Sequence, residues 1–541
     1  MHVFPMRRKV PDMPSSTPLS PETCARLTRR GVLALPALAG AGAVLSGCGL
    51  LKKGDTASSG KSSGAASPRA VATATGPHGG VVLSTEYQGA PMTVEVGPVA
   101  VKGKYTVARF HISTDSKEDV YLSQAFAQLE NVGTTADVRM MSLEQSLVYV
   151  ELGGNTEDLS GAVTKGAPKD AFPVFGALND GVHSVEMLLP NMGVVVGVPV
   201  VKESEVDFNV DDVIAKANLQ GPDPGPFKLE RATVSMDGSS DTKQDEKSTT
   251  VTVAGDVTFA TDSDQLSAQA DSVLASVVEQ IKKYPSGGDL TITGHTDDVA
   301  DDAHNQDLSE RRAKAVSERL KKLTDLSKWK ESVSGKGESS PRVPNDSDER
   351  RQINRRVEIT LTPSKPAEAS APPSTSAVPS STAMPKATGP VGKGPEGVDV
   401  KIDGKTVRMV IDHVVRAGSY LAGTVGLTSS EAVSMPVASF SLPGKMMEMR
   451  GLSGVWYVSS LTILSGGLRY LEADYAYPNG NRVPLANNFV YSLEPGTSQS
   501  LPVVWPDVGE DGITIDMPAG EYLYTKERVV ARLTDIPVVS A

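Results

Sequence analysis

Two stretches of this 541-residue chain are too poor in apolar side chains to pack, and they decide what the remainder can fold into. Residues 49 to about 80, including KKGDTASSGKSSGAASPRA, are rich in Gly, Ser and Ala. Residues 364 to about 394, including SKPAEASAPPSTSAVPSSTAMPKATGP, are rich in Pro, Ser and Ala. Such compositions behave as tethers, the proline-rich one being the stiffer. They leave segments 89–205, 248–363 and 397–541 to build cores, with 206–247 expected to connect the first two and 48–88 and 364–396 to act as linkers.

The N-terminus predicts export. LTRRGVLALPALAGAGAVLSGCG places Arg29 and Arg30 before a short apolar run that closes on Leu45-Ser46-Gly47-Cys48. A run this short, ended by small residues, reads as a signal peptide over 1–47 and not as a spanning helix. Thr28 to Leu33 resembles a twin-arginine (Tat) export signal, with Met1 and Met13 as alternative starts. Leu-Ser-Gly-Cys resembles a lipobox, in which Cys48 carries the lipid. The only other cysteine, Cys24, would leave with the signal, so the exported chain is expected to have no disulfide. The formal net charge is −12, and residues 1–47 hold six Lys and Arg against two Asp and Glu, so their loss would leave −16. So acidic a chain is a poor partner for nucleic acid.

The outer segments look like copies of one another. GPVAVKGKYTVARF from Gly97 and IDHVVRAGSYLAGTV from Ile411 match Val99 to Val414, Gly103 to Gly418 and Tyr105 to Tyr420, at an offset of 315. Further on, LLPNMG (188–193) faces VWPDVG (504–509) at an offset of 316. Both copies show short alternating β-branched runs between Gly, Pro, Asn and Asp turns. The pattern predicts all-β, immunoglobulin-like sandwiches of six to nine strands.

The middle segment alternates strand and helix. TTVTVAGDVTFA and DLTITGH read as strands. LSAQADSVLASVVEQIKKY (266–284) reads as a helix with Ser267 at its N-cap. LSERRAKAVSERLKKL (308–323) reads as a second helix, capped by Ser309, with Ala313, Val316 and Leu320 inward. KESVSGKGES and NRRVEITLT read as two closing strands. The βαβαββ order predicts a compact α/β domain with two helices on one face of a small sheet.

The most charged stretch, GHTDDVADDAHNQDLSERRAKAV, runs from Gly294 to Val316. His295, Asp297, Asp298, Asp301, Asp302 and His304 form a tempting ligand set. The His spacing fails the zinc-protease pattern and the Asp spacing fails the calcium loop, so no metal is expected. With Ser309 as cap, Arg311 and Arg312 fall in a first helical turn, where cations oppose the helix dipole. A guanidinium beside free backbone N–H groups suits a ligand carboxylate, and an Asp in the preceding loop suits an ammonium. The pair would fit an amino-acid zwitterion.

Gly294-His295-Thr296-Asp297, Asn305, Leu308 to Ala313, Val316, Gly335 to Ser339 with Pro341, and Asn354 to Ile359 together resemble the OmpA-like peptidoglycan-binding domain. The resemblance implies that Asp297 binds the ammonium and Arg312 the carboxylate of diaminopimelate in the peptidoglycan stem peptide. It also implies that Asn305 and Leu308 shape the loop beside Thr296, and that Arg355 or Arg356 lines the pocket. The family often accompanies a membrane β-barrel, but no long series of amphipathic strands with aromatic girdles is present here.

No catalytic constellation is expected: His-Glu-x-x-His and P-loop patterns are absent, and no thiol follows Cys48. No cofactor is implied. The expected protein is a lipid-anchored envelope protein that ties membrane to cell wall, on the extracytoplasmic face of the cell membrane or, alternatively, the inner face of an outer membrane. The other reading is an envelope adaptor whose duplicated sandwiches bind protein partners while the middle domain only positions them.

Overall fold

The structure, a computed structural model, describes residues 74–540 apart from 128–132, 156–158, 160, 218, 220–224, 261, 366–383, 437, 453–457, 487–489, 491 and 521–527. The expected export signal, Cys48 and the interior of the Pro-rich tether lie outside the described residues.

The first repeat begins earlier than residue 89. Its strands β1 (Val81–Tyr87), β2 (Ala90–Lys102), β3 (Tyr105–Thr114) and β4 (Lys169–Gly176) pair antiparallel in that order. Strands β5 (Ser184–Leu189) and β6 (Gly193–Lys202) form a second hairpin, and the end of β6 returns parallel to β2, with Val200 opposite Val99. Alternating Val, Ile and Phe supply the core, among them Leu83, Val94, Phe110, Ile112 and Phe175.

Residues 206–247, expected to be a connector, are built into the fold. Helix α1 (Val210–Lys216), capped by the Asn209 side chain on Asp212 N–H, packs on the outer face of the first repeat. Strand β7 (Phe227–Ser235) then forms a hairpin with β8 (Ser240–Gln244). The middle domain continues from β8 into β9 (Thr249–Ala254), helix α2 (Ala270–Lys282), β10 (Gly288–His295), helix α3 (Asp302–Leu323), β11 (Trp329–Gly335), helix α4 (Asp348–Asn354) and β12 (Arg356–Pro363). The sheet order is β11-β10-β12-β9-β8-β7, with β10 and β11 parallel and the other neighbours antiparallel.

Helix α2 buries Val273, Leu274, Val277 and Ile281 at helical spacing, and α3 buries Ala313, Val316 and Leu320, all against Val251, Val253, Leu290, Ile292, Val357 and Ile359 of the sheet. Each such buried Val, Leu or Ile side chain stabilises the fold by about 1.5–3 kcal/mol. Three local readings need correction. Helix α2 starts at Ala270 with Gln269 as cap, while Ser267 turns back to donate to the Val257 carbonyl. Strand β9 stops at Ala254, and Gly255–Thr258 is a single helical turn. Helix α4 occupies a region read as loop and strand, so Asn354 ends a helix.

The second repeat carries β13 (Val414–Ala417), β14 (Tyr420–Thr428), β15 (Leu468–Tyr470), β16 (Ser498–Pro506) and β17 (Arg532–Ser540). Its β13–β14 turn reproduces β2–β3: Lys102 opposes Tyr105, Ala417 opposes Tyr420, and Gly103 (φ 58°) and Gly418 (φ 56°) both take the left-handed region. Val414 meets a parallel closing strand at Val538, as Val99 meets Val200. The later landmark is not an equivalence. Tyr105 pairs with Gly176 and Tyr420 with Pro506, whereas LLPNMG is the β5–β6 turn, because the insertions between paired strands differ in length. Pro385 to Gly394, expected to be linker, bind β17 through the Val391–Lys393 strand and the Pro385 and Pro390 carbonyls.

The repeats are not independent modules on strings. Met141, Leu143, Val148, Leu188 and Val194 of the first share a core with Val415, Tyr420, Ala422, Tyr475 and Val504 of the second. Strand β7 pairs in turn with Leu147–Val148, with Asp474–Tyr475 and with β15, so the sheet of the middle domain runs on into the second repeat. One arginine pins the same junction: Arg350 of the middle domain reaches Glu448 of the second repeat (2.7 and 2.9 Å), while Arg342 makes a two-pronged contact with Asp241 of β8 (2.7 and 2.8 Å) inside the middle domain.

Candidate functional site

The loop after β10 and the following helix carry the predicted site, but the helix begins earlier than expected. Asp301 is the N-cap of α3, its carboxylate accepting from His304 N–H at 2.9 Å. Ser309 therefore lies in the helix interior, where its hydroxyl donates to the Gln306 carbonyl and accepts from Gly337 N–H. Arg311 and Arg312 are far from the first turn, so the helix N-terminus supplies no anion-binding N–H groups beside them.

What selects Arg312 is the face of the helix. The buried stripe of α3 runs Asn305, Leu308, Ser309, Arg312, Ala313, Val316, Ser317 and Leu320, so Arg312 holds a core-facing position. Arg311 faces outward and pairs with Asp307 (2.9 Å) and Asp264 (3.0 Å). Arg312 is only 5% exposed. Its Nε donates to the Ser263 carbonyl at 2.9 Å, and its guanidinium lies 5.2 Å from the centre of the Phe259 ring. Among the described residues it makes no ion pair. Burial pulls its pKa below the usual arginine value, opposed by Asp256, Asp262 and Asp297, which influence it without touching it.

Asp297 is 8% exposed. One carboxylate oxygen accepts from Arg355 Nη1 at 2.6 Å. Arg355 also chelates Asp256 through Nε (2.7 Å) and Nη2 (2.6 Å), which holds the Asp256 carboxyl below its usual pKa. Two carboxylates and two guanidiniums, from four separate elements, thus share one electrostatic cluster.

Arg356 does not join them. It opens β12, where successive side chains alternate faces, and it bonds instead to Glu358 (2.8 Å) and the carbonyls of Asn354 and Ser340. Asn305 Nδ2 donates to the Ala300 carbonyl (3.0 Å) and to Glu338 (2.6 Å), tying loop, helix and the Gly335–Ser339 turn together. Leu308 is buried next to it on the same stripe. Thr296 N–H donates to the Gly337 carbonyl at 3.0 Å, and its own hydroxyl is buried without a hydrogen-bond partner among the described residues. The close seating of α3 needs Gly294 and Gly335, since a Cβ at either would collide with Ser309. Behind the loop, His295 is buried with neither ring nitrogen hydrogen-bonded among the described residues, Nε2 lying 3.8 Å from Glu358, and burial, then Arg356, push its pKa down to about 4 against the pull of Glu358.

Other charged groups of the loop make local bonds. Asp298 pairs with Arg351 at 2.8 Å, and His304 meets Asp262 at 3.1 Å. Among the described residues no group of three or more His, Cys, Asp and Glu side chains is placed to hold a metal ion. Asp256, Phe259 and the Ser263 carbonyl were missed from sequence, because GDVTFATDS reads as the tail of a strand. The only signal was the acidic Asp256 interrupting an apolar run.

Residues 258–355 match the family model described as OmpA family, and this stretch is an OmpA family domain. The chain is 40% identical over 111 residues to outer membrane porin F of Pseudomonas aeruginosa, covering 20% of this chain and 31% of that protein. It is 33% identical over 124 residues to outer membrane protein A of Escherichia coli O157:H7, covering 20% and 34%. The chain thus spans about a third of the length of these relatives. Among solved structures it is similar to the cell wall anchor of the T6SS from Pseudomonas aeruginosa, at 30% identity over 22% of this chain and 82% of that one, with a TM-score of 0.19. It is also similar to the peptidoglycan-associated lipoprotein from Burkholderia pseudomallei, at 22% identity over 21% and 90%, with a TM-score of 0.18.

Proposed function

We propose that this protein is a non-catalytic, lipid-anchored envelope protein that grips peptidoglycan stem peptides through the pocket between Asp297 and Arg312. The observation that carries the reading is Arg312: a nearly buried guanidinium on a helix stripe, lacking an ion partner among the described residues. An unpaired buried cation is costly unless a ligand completes it. A carboxylate of diaminopimelate fits that role, and the ammonium at the same centre takes Asp297, which Arg355 already orients. Phe259 forms the floor under the guanidinium.

One such charge-assisted pair binds weakly, with Kd ~10⁻⁴ M. Weak binding suits a tether, because wall sites are dense and an acylated Cys48 would keep the domain close to them. The test is co-sedimentation of the full chain with purified sacculi, with free diaminopimelate as competitor. Wild type should pellet and be displaced by the amino acid, while Arg312→Ala and Asp297→Asn should stay in solution. Arg312→Ala pelleting like wild type would overturn the clamp.

A second reading, the envelope adaptor, draws on the shared core of the repeats and the strand β7 that welds them to the middle domain. That rigid platform would present partner surfaces at a set distance from the wall. Cross-linking in cells from the exposed Tyr121 of the first repeat would capture a defined partner if this reading holds, and none if the protein is a tether alone.

A further inference from the structure

Two of the seven histidines, distant from the wall-binding pocket in sequence, meet on the outer face of the first repeat. Glu95 of β2, His111 of β3 and Asp170 of β4 stand side by side on three adjacent strands. The chain entering β1 brings His78 over this row, where the backbone N–H groups of His78 and Gly80 donate to Glu95 Oε1 at 2.8 and 2.9 Å. The His78 and His111 ring centres are 4.9 Å apart. We propose that His78 and His111 form a binding site for a zinc-type divalent cation, held by the two Nε2 atoms and completed by water.

A carboxylate holds the Nδ1 side of each ring. His111 Nδ1 lies 2.7 Å from Asp170 Oδ1, and His78 Nδ1 lies 2.8 Å from Asp207 Oδ2. A carboxylate only accepts, so each Nδ1 carries the hydrogen, and in the neutral imidazole the lone pair is then on Nε2. This carboxylate-to-imidazole arrangement is the one that supports metal-ligating histidines from behind. Arg109 Nη1 also stands 3.2 Å from His78 Nδ1, but Asp207 is the nearer partner. Neither Nε2 makes a hydrogen bond among the described residues, and the side chains are 25% and 24% exposed, so an ion in solution can reach them.

The local charge has the matching sign. Arg109 spans Asp170 (2.9 Å) and Asp207 (2.6 Å), and Glu95 adds a third carboxylate, leaving two formal negative charges with both histidines neutral. Glu95 is 2% exposed, and its Oε2 is buried without a hydrogen-bond partner among the described residues. Imidazole nitrogens select zinc, copper or nickel over magnesium and calcium, which prefer oxygen cages. With two protein ligands the site is open and of modest affinity. Occupied, it would pin the chain leading into β1 onto the sheet.

The experiment titrates the purified full chain with zinc by calorimetry and by thermal melting, with calcium and magnesium in parallel. The variants are His78→Gln, His111→Gln, the pair together, Asp170→Asn, and His304→Gln as control. Wild type and His304→Gln should bind one zinc with a rise in Tm. Each single His variant and Asp170→Asn should weaken binding about tenfold or more, and the double variant should lose it. Glutamine keeps a donor for Asp170 or Asp207, so folding should survive; if circular dichroism shows the double variant unfolded, the single variants decide. The proposal is overturned if wild type binds no zinc, if folded His variants bind it unchanged, or if calcium and magnesium bind equally well.

Discussion

Arg355 Nη1 lies 2.6 Å from Asp297 Oδ2 while the other two nitrogens of the same side chain hold Asp256. A single guanidinium therefore orients the carboxylate assigned to the ligand ammonium and ties it to the turn that carries Phe259. Arg312, by contrast, has one hydrogen bond and an aromatic floor. Arg355 is committed to ion pairs, whereas Arg312 makes none among the described residues.

That difference predicts opposite outcomes for two substitutions. Arg312→Met removes a buried charge without an ion partner and keeps the packing of its stem. It should leave stability unchanged or raise it by about 1 kcal/mol, while sacculus binding falls at least tenfold. Urea denaturation beside co-sedimentation checks both halves.

Arg355→Gln should destabilise the protein by about 1–3 kcal/mol at neutral pH, because it strips two carboxylates of their partner. The folded-state pKa of Asp256 is lowered by Arg355, so this contribution is present above the usual carboxylate pKa and lost as pH falls through the folded value. The gap between variant and wild type should accordingly narrow in acid. Denaturant midpoints measured at pH 7 and pH 3 read it directly.

His295 sets a second pH dependence. Its pKa is about 4 in the fold against 6.5 in the unfolded chain, so the neutral form is the native one. Between those values the unfolded state takes up a proton that the folded state refuses. Stability should drop as pH falls from 6.5 to 4, by up to about 3 kcal/mol, and His295→Gln should flatten that part of the curve. An unchanged slope in the variant would remove His295 as the cause.

Strand β7 predicts mechanical unity. Thr233 is paired on both sides, to Thr242 of β8 and to Tyr470 of β15. Wild type should melt with the middle domain and second repeat in one calorimetric transition. Thr233→Pro, which cannot serve a central strand, should cost about 3 kcal/mol or more and split that transition in two.

The tethers, the periodicity of α2, the strand ending in His295 and the fifteen-residue separation of Asp297 from Arg312 were legible because each is written in neighbouring residues. Local spacing alone also places Arg312 among Leu308, Ala313 and Val316. The start of α3 was not legible: its first turns read Asp-Ala-His-Asn-Gln-Asp, whose one apolar residue, Ala303, is exposed and does not mark the inner face, so Ser309 took the place of Asp301 as cap. The parting of Arg355 from Arg356 was hidden too, since it depends on where α4 yields to β12.

The sequence by itself determined the local periodicities, the charged residues of the site and the likeness of the outer repeats around Tyr105 and Tyr420. Only the tertiary structure decided that Phe227–Ser235 welds three parts together, that Asp256 meets Arg355 and Phe259 lies under Arg312, and that His78 meets His111. The physical reason is range. Helical and strand periods are set by residues a few positions apart, whereas strand partners and ion pairs are chosen among residues tens to hundreds of positions distant, where burial and register settle the outcome.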